Sequence, residues 1–416
     1  MTPSSKKKES VNLDNIALIG GGRWARVLAE VLYMIVPETT SISIYSLHNS
    51  KGMEAWVSNK GFQNRLDVYA ELPTFSSNTL NGVIVVNAAK DHEATVMWAL
   101  QQECPVLVEK PFCLNFSSSQ NLARLALNKD VYLATAHVFL FARYVDTFAA
   151  LVRDESDIES IKVLWMDPES ESRYGEAKNY DASLPIYSDW LPHILSILGT
   201  CILTSVQLTE KFELFRGGAH LNMQLTYGQT PCAIELIRGG SRRRRIIEVI
   251  TGYKKLTLDF SSEPGLIYDG DTILCADQSW SENSRPVAKM LKHFLIGACG
   301  GVRDPRLDLS IGLNANSVID QVAILYRRAL KFWLGSKLTL HKADIVGDVR
   351  YALTERLKAQ DPTVDIPIDQ RVNYVCHHLK LGVFSFNDDI ECSVEKVISN
   401  LIDQGKTVSY IINGKS

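Results

Sequence analysis

Ile16-Ala17-Leu18-Ile19-Gly20-Gly21-Gly22-Arg23-Trp24-Ala25 is a short apolar run that stops abruptly at three glycines. Four apolar residues in succession suit a strand buried on both faces of a parallel sheet. A helix pattern follows over residues 23–36 and is closed by Pro37. Gly20, Gly22 and Ala25 fit G-x-G-x-x-G/A, in which the first glycine makes the turn, the second lets a pyrophosphate reach the backbone and the third small residue lets the helix pack closely. The helix that opens at Arg23 and Trp24 then offers unpaired N–H groups to phosphate. Gly20, Gly22, Arg23 and Trp24 are therefore candidate dinucleotide-binding residues.

Outward from this loop the same alternation repeats. Residues 42–45 read as a strand, 53–60 as a helix, 82–86 as a buried strand, 92–101 as a helix, and 106–108 and 131–134 as further strands. Strands alternating with short helices indicate right-handed βαβ units and a parallel sheet. Beyond them, strand-like stretches at 158–166, 206–214, 219–227, 232–238, 244–251 and 255–260 follow closely, with two helical patterns at 286–298 and 309–334. Such a meander indicates an antiparallel sheet. The expected architecture is α/β: a flexible leader over residues 1–13, a Rossmann domain over 14–145, a second α+β domain over 146–337 on an open, mostly antiparallel sheet, and a C-terminal helical extension over 338–416. Helix signals at 345–358, 368–381 and 390–404 and a strand-like 408–412 mark that extension, to which the sequence assigns no chemistry.

Composition narrows the functions available. The 416 residues carry a net charge of −3 and are 46% hydrophobic, which gives material for more than one core, since a domain holds roughly 100–200 residues. No global basic field is present to recruit nucleic acid, and no apolar run approaches the roughly 20 residues of a membrane helix. Neither nucleic acid nor membrane is an expected partner; a small molecule is. The run Arg242-Arg243-Arg244-Arg245 reads as a solvated turn or a subunit contact. The eight cysteines are scattered without a Cys-x-x-Cys pair and read as reduced, mostly buried thiols of a cytoplasmic protein. His377-His378 beside Cys376 lack a second ligand pair, so no metal is expected.

Three further features carry chemistry. The second strand ends at Tyr45-Ser46, where an NAD-specific domain would place an acid on the ribose 2′-hydroxyl. Ser46 cannot repel a 2′-phosphate, and His48, Asn49, Ser50 and Lys51 could donate to one, so NADP is preferred over NAD as the cofactor. Glu109-Lys110-Pro111 follows a strand, at the sheet edge where open α/β folds bind ligands; a lysine there lies near nicotinamide and can give or take a proton. In Ser188-Asp189-Trp190-Leu191-Pro192-His193, Ser188 reads as an N-cap with Pro192 in the first turn. Asp189 and His193 then stand one turn apart on one face, a carboxylate able to orient an imidazole and raise its pKa.

Together the glycine loop, Val86-Asn87-Ala88-Ala89-Lys90-Asp91-His92, Glu109-Lys110-Pro111 and the Asp189/His193 pair make the chain, over about residues 14–334, resemble the Gfo/Idh/MocA oxidoreductases, the glucose–fructose oxidoreductase and inositol dehydrogenase superfamily. The resemblance implies that the second domain covers the nicotinamide, forms the substrate pocket and often makes the oligomer contact, so a homo-oligomer, dimer or tetramer, is expected. It implies that Lys110 contacts substrate and cofactor, that His193 is the acid/base supported by Asp189, and that Asn87, Ala88, His92 and Glu109 line the cofactor cleft. His137 and Arg143 match a stretch that brings side chains near nicotinamide and substrate. The chain departs from the family at Ala89 and Lys90, where threonine and proline are usual. It departs again at Leu191 and Ser196, where glycine and aspartate are frequent, which weakens the case for a polyol. The expected function is NAD(P)-dependent hydride transfer to or from a carbonyl, hydroxyl or imine carbon of a small sugar-like or natural-product substrate. The competing expectation is a dinucleotide-sensing regulator or scaffold that does not turn over; it need not keep the lysine and the Asp/His pair together.

Overall fold

The computed structural model describes residues 13–72, 80–168, 170–173, 176–178, 184–275, 277, 280–281 and 285–338. The expectations for the leader before Leu13 and for the extension after Leu338 lie outside these residues. In the first domain β1 (Asn15–Ile19), α1 (Arg23–Ile35), β2 (Ser41–Tyr45), α2 (Ser50–Lys60), β3 (Leu66–Tyr69), β4 (Gly82–Val85), α3 (His92–Gln101), β5 (Val106–Glu109), α4 (Phe116–Asn128) and β6 (Leu133–Ala136) alternate. The six strands pair in the order β3-β2-β1-β4-β5-β6, all parallel. The order reverses between β1 and β4, so the crevice at their carboxyl ends is where such a sheet receives a dinucleotide.

Side-chain alternation explains why these strands read as continuous apolar runs. Ile16 and Leu18 face a core shared with α1 and α2, while Ala17 and Ile19 face one shared with α3 and α4; both faces are buried, so no polar position remains.

The chain then runs through α5 (Arg143–Arg153), β7 (Ile158–Pro168), β8 (Glu171–Arg173), β9 (Glu176–Lys178), α6 (Ile186–Cys201), β10 (Val206–Phe215), β11 (His220–Tyr227), β12 (Thr230–Gly240), β13 (Arg244–Thr251), β14 (Lys255–Asp259), β15 (Leu266–Asp269), β16 (Thr272–Cys275), α7 (Pro286–Ala298) and α8 (Leu309–Leu338). Eight of these strands form one sheet in the order β10-β11-β12-β7-β13-β14-β15-β16. Every pair is antiparallel except β12 with β7, as expected of an open, mostly antiparallel sheet. One face packs on α5, α6 and α8 in a single core with Trp165, Leu198 and Val322. On the other face Leu164, Ile246, Asn222 and Glu235 are only half-buried, which accounts for the in-out periodicity of β11 and β13.

Between β7 and α6, β8 and β9 pair as an antiparallel ribbon. One expectation is corrected. The helix expected over 286–298 forms as α7, but Val287, Met290, Leu291 and Phe294 pack into the core of the first domain beside α1. Its apolar face, four residues spaced for one side of a helix, says only that it must be covered, not by which domain.

Candidate active site

The glycine loop is shaped by what crowds it. Gly20 has φ +155°, and a Cβ there would stand 2.7 Å from the carbonyl oxygen of Val86 at the end of β4. At Gly21 a Cβ would stand 1.9 Å from Ser46 Oγ. Backbone therefore reaches within contact of both neighbouring strand ends, and only glycine fits. Gly22 caps α1 without a side-chain bond, so the helix N-terminus brings the first-turn N–H groups of Arg23 and Trp24 and the positive end of the helix dipole to the glycine loop. This cradle suits a pyrophosphate.

At the end of β2, Ser46 Oγ is buried and has no hydrogen-bond partner among the described residues, while Asn49 Nδ2 donates to Gly21 O at 2.8 Å. His48 is exposed, and Asn49 caps α2. Among the described residues no carboxylate follows β2 where Ser46 stands.

The turn after β5 is held from both sides. Glu109 is buried; Trp24 Nε1 donates to its Oε1 at 2.7 Å and the Lys110 N–H donates to its Oε2 at 3.2 Å. Burial raises the Glu109 pKa against the opposing pull of that indole bond and of Lys110. The cis bond between Lys110 and Pro111 turns the chain just beyond the strand. His92, also buried, brackets the neighbouring loops: Nδ1 lies 2.8 Å from Pro111 O and Nε2 3.1 Å from Asn87 O. Burial lowers its pKa. Asn87 Nδ2 donates to Thr95 Oγ1 at 2.8 Å, and Ala88 is exposed at the crevice mouth. Glu109 and His92, expected to line the cleft, are both buried, and their bonds tie together Trp24, the Lys110 turn and the carbonyls of Asn87 and Pro111.

Lys110 reaches across to the second domain. Its Nζ donates to Asp189 Oδ1 at 2.5 Å and to Asp189 O at 3.0 Å. The other carboxylate oxygen accepts from Arg238 Nη2 at 3.3 Å, and Arg238 Nη1 donates to Leu184 O at 3.3 Å. The expected cap geometry is corrected: α6 begins at Ile186 with Pro185 as its N-cap, so Ser188 is inside the helix and Pro192 lies in its interior rather than its first turn. Asp189 remains in the first turn, one turn before His193, but its carboxylate is engaged by Lys110 and Arg238. His193 lies parallel to the Trp165 ring at 5.8 Å and edge-on to Phe139 at 5.0 Å.

His137, at the end of β6, is buried, and neither ring nitrogen has a hydrogen-bond partner among the described residues. Burial, and then the positive charge of Lys110, push its pKa down to about 4. An imidazole in that position is neutral at pH 7. Arg143 opens α5 and is exposed.

The carboxyl ends of β1, β2, β4, β5 and β6 so gather Gly20, Gly22, Arg23, Trp24, Ser46, His48, Asn49, Asn87, Ala88, His92, Glu109, Lys110 and His137 at one edge, and α6 supplies Asp189 and His193 from above. Sequence reasoning missed Arg238 and Trp165, because a charged or aromatic residue inside an alternating strand gives no sign of which distant helix it will meet.

With this geometry in view the comparisons with known proteins are direct. Residues 15–137 match the family model described as oxidoreductase family, NAD-binding Rossmann fold. Over these residues the chain matches the Gfo/Idh/MocA family. No curated protein matches the sequence. Among solved structures the fold is similar to UDP-N-acetylglucosamine 3-dehydrogenase GnnA from Acidithiobacillus ferrooxidans, with TM-score 0.61, 15% identity, 77% of this chain and 99% of that one covered. It is also similar to the 3-ketoreductase KijD10 from Actinomadura kijaniata, in complex with NADP and TDP-benzene, with TM-score 0.61, 16% identity and coverage of 75% and 98%. A third is the dehydrogenase MviM from Clostridium difficile, with TM-score 0.60, 12% identity and coverage of 75% and 99%. At these identities the likeness shows the fold alone, a Rossmann domain followed by a second domain on an open sheet. Among the described residues no helix is long and apolar enough to cross a membrane, and no group of three or more His, Cys, Asp or Glu is placed to hold a metal.

The depressed pKa of His137 fixes a pH dependence. Above pH 6.5 the ring is neutral folded or unfolded; as pH falls toward 4 the unfolded chain takes a proton that the folded state excludes, so stability is lost in that window. Between pH 7 and 5, His137→Asn is expected to lose about 2 kcal/mol less stability than the wild type, with His92 responsible for a further slope common to both proteins. Urea unfolding at the two pH values reads the difference; equal losses would contradict a neutral buried His137.

Proposed function

We propose that the protein is an NADP-preferring dehydrogenase or reductase that exchanges a hydride with the carbon of a carbonyl, hydroxyl or imine on a small, sugar-like substrate. The observation that carries this reading is the Lys110 to Asp189 bond at the mouth of the cofactor crevice. It sets a charged donor beside the neutral His137 and on the helix that bears His193. Bound nicotinamide would supply the hydride acceptor or donor at its C4. Gly20, Gly21 and Gly22 would admit the pyrophosphate, with the Arg23 and Trp24 N–H groups as donors, and Ser46, His48, Asn49 and Lys51 would meet a 2′-phosphate.

An ammonium has three N–H bonds. Asp189 takes two from Lys110, which leaves the third for the substrate oxygen or nitrogen, where it stabilises charge that develops as the hydride moves. His193 would hold or release the proton at the same atom. Asp189 serves as a positioning residue that fixes the Lys110 rotamer against Arg238. The naming of GnnA as a sugar-nucleotide dehydrogenase and of KijD10 as a ketoreductase supports the sugar-like class. The free thiols Cys104, Cys113, Cys201 and Cys232 are buried, which fits a cytoplasmic, reducing setting. The half-exposed sheet face that carries Leu164 and Ile246 is the surface through which two copies would associate.

Two experiments test this. Fluorescence titration should show NADPH bound by the wild type, binding abolished in Gly22→Asp, and Ser46→Asp weakening NADPH more than NADH; a wild type that binds neither nucleotide overturns the reading. Once a substrate is in hand, Lys110→Ala and His193→Ala should each lower kcat about 10²- to 10⁴-fold with NADPH affinity little changed, whereas turnover unaffected by either would remove them from the chemistry. For association, light scattering should report a dimer or tetramer that Leu164→Glu dissociates, and a monomeric wild type would refute it.

A further inference from the structure

The run of arginines that reads in sequence as a solvated turn is largely folded inward. Arg242 is exposed, but Arg245 is buried, and Arg243, in the turn between β12 and β13, has a side chain only 11% exposed. Arg245 spends its two-donor edge on a buried carboxylate: Nε donates to Asp167 Oδ1 at 3.0 Å and Nη2 to Asp167 Oδ2 at 2.6 Å. Glu263 accepts from Arg173 Nη2 at 3.0 Å. Glu171 accepts from Arg243 Nη1 at 2.7 Å and stands 3.9 Å from Arg173 Nε. That leaves the corresponding edge of Arg243, Nε together with Nη2, buried and without a hydrogen-bond partner among the described residues. Buried donors are almost always paired, and this pair has the spacing and planarity that a phosphate or carboxylate matches with two parallel bonds.

The arginines that flank Arg243 tie the cluster to the crevice. Arg245 stacks over the Trp165 ring at 4.3 Å, and the same ring carries His193 at 5.8 Å. Arg173 offers its carbonyl oxygen to Arg23 Nη2 at 3.0 Å, so the cluster also touches the first residue of α1. Burial and the flanking charges of Arg245 and Arg173 press on the Arg243 guanidinium, an arrangement that an added negative charge relieves.

We propose that Arg243 anchors an oxyanion of the substrate, a phosphate or a carboxylate, through its Nε and Nη2 donors, and so selects acidic substrates over neutral ones. This rests on the pocket proposed above. The test is calorimetric titration of the full-length protein, with NADPH saturating so that the cofactor site is filled, using uridine diphosphate, inorganic pyrophosphate and succinate as probes. Wild type, Arg243→Lys and Arg243→Ala are compared. Lysine keeps the charge beside Glu171 but lacks the two-donor edge, and it carries the comparison if the alanine variant does not fold. Uridine diphosphate or pyrophosphate bound by the wild type and at least tenfold weaker in Arg243→Lys supports the proposal with a phosphate as the group. Succinate showing that sensitivity, with the diphosphates not bound, supports it with a carboxylate. Probes that do not bind, or that bind wild type and Arg243→Lys alike, overturn it. NADPH fluorescence in the same samples reports on the cofactor reading separately: its failure there would remove the dehydrogenase and leave the oxyanion result standing by itself.

Discussion

Lys110 and Asp189, 79 positions apart in sequence, meet across the cleft, and the rest of the site is arranged to keep them together. Both side chains are about four-fifths buried, so neither charge could be left alone without a large penalty. Each is held by a second partner. The Lys110 turn is pinned through Glu109 to Trp24 in the glycine loop, and Asp189 is pinned through Arg238 to β12. One continuous line of polar contacts thus runs from the nucleotide-binding loop, over the crevice, into the sheet of the second domain. A shift of α1 at its N-terminus would be felt at the lysine through two hydrogen bonds.

The electrostatic setting around that line is uneven in a useful way. On one side His137 is desolvated beside a positive charge and stays neutral. On the other, the arginines of β12 and β13 face a nearly matched set of carboxylates, with Trp165 as the common floor beneath Arg245 and His193. A neutral, dry end suits a nicotinamide ring, and a charged end suits an acidic group on a substrate; α6 meets Lys110 and Arg238 through Asp189 and the Trp165 ring through His193. The two halves are also locked mechanically, because α7 returns from the second domain to complete the core against α1.

Much of the fold was legible because its signals are local. An apolar run ended by three glycines can be read without knowing any neighbour, and so can the alternation of strand and helix that gives the parallel order through β1, β4, β5 and β6. Lys110 was legible for the same reason: it follows a buried strand, and the carboxyl edge of such a sheet is where ligands sit. The start of α6 was not, since Ser188 is a good cap in isolation and only tertiary packing of Leu184 and Ile186 moves the start three residues earlier. Nor was the partner of Asp189. A carboxylate four residues before a histidine looks like that histidine's partner, and nothing nearby in the chain announces a lysine 79 positions away or an arginine on a strand not yet placed. The arginine run failed in a similar way, because consecutive residues of a turn and strand point in opposite directions and the sequence does not say which of them meets Asp167.

The most direct test of the account is a crystal structure of the protein with NADP bound. The account predicts the pyrophosphate on the N–H groups of Arg23 and Trp24, the 2′-phosphate by Ser46 and Asn49, and the nicotinamide between Lys110 and His137 with its C4 facing α6. A nucleotide seated elsewhere, or a nicotinamide turned away from Lys110 with the Lys110 to Asp189 bond undisturbed, would contradict it.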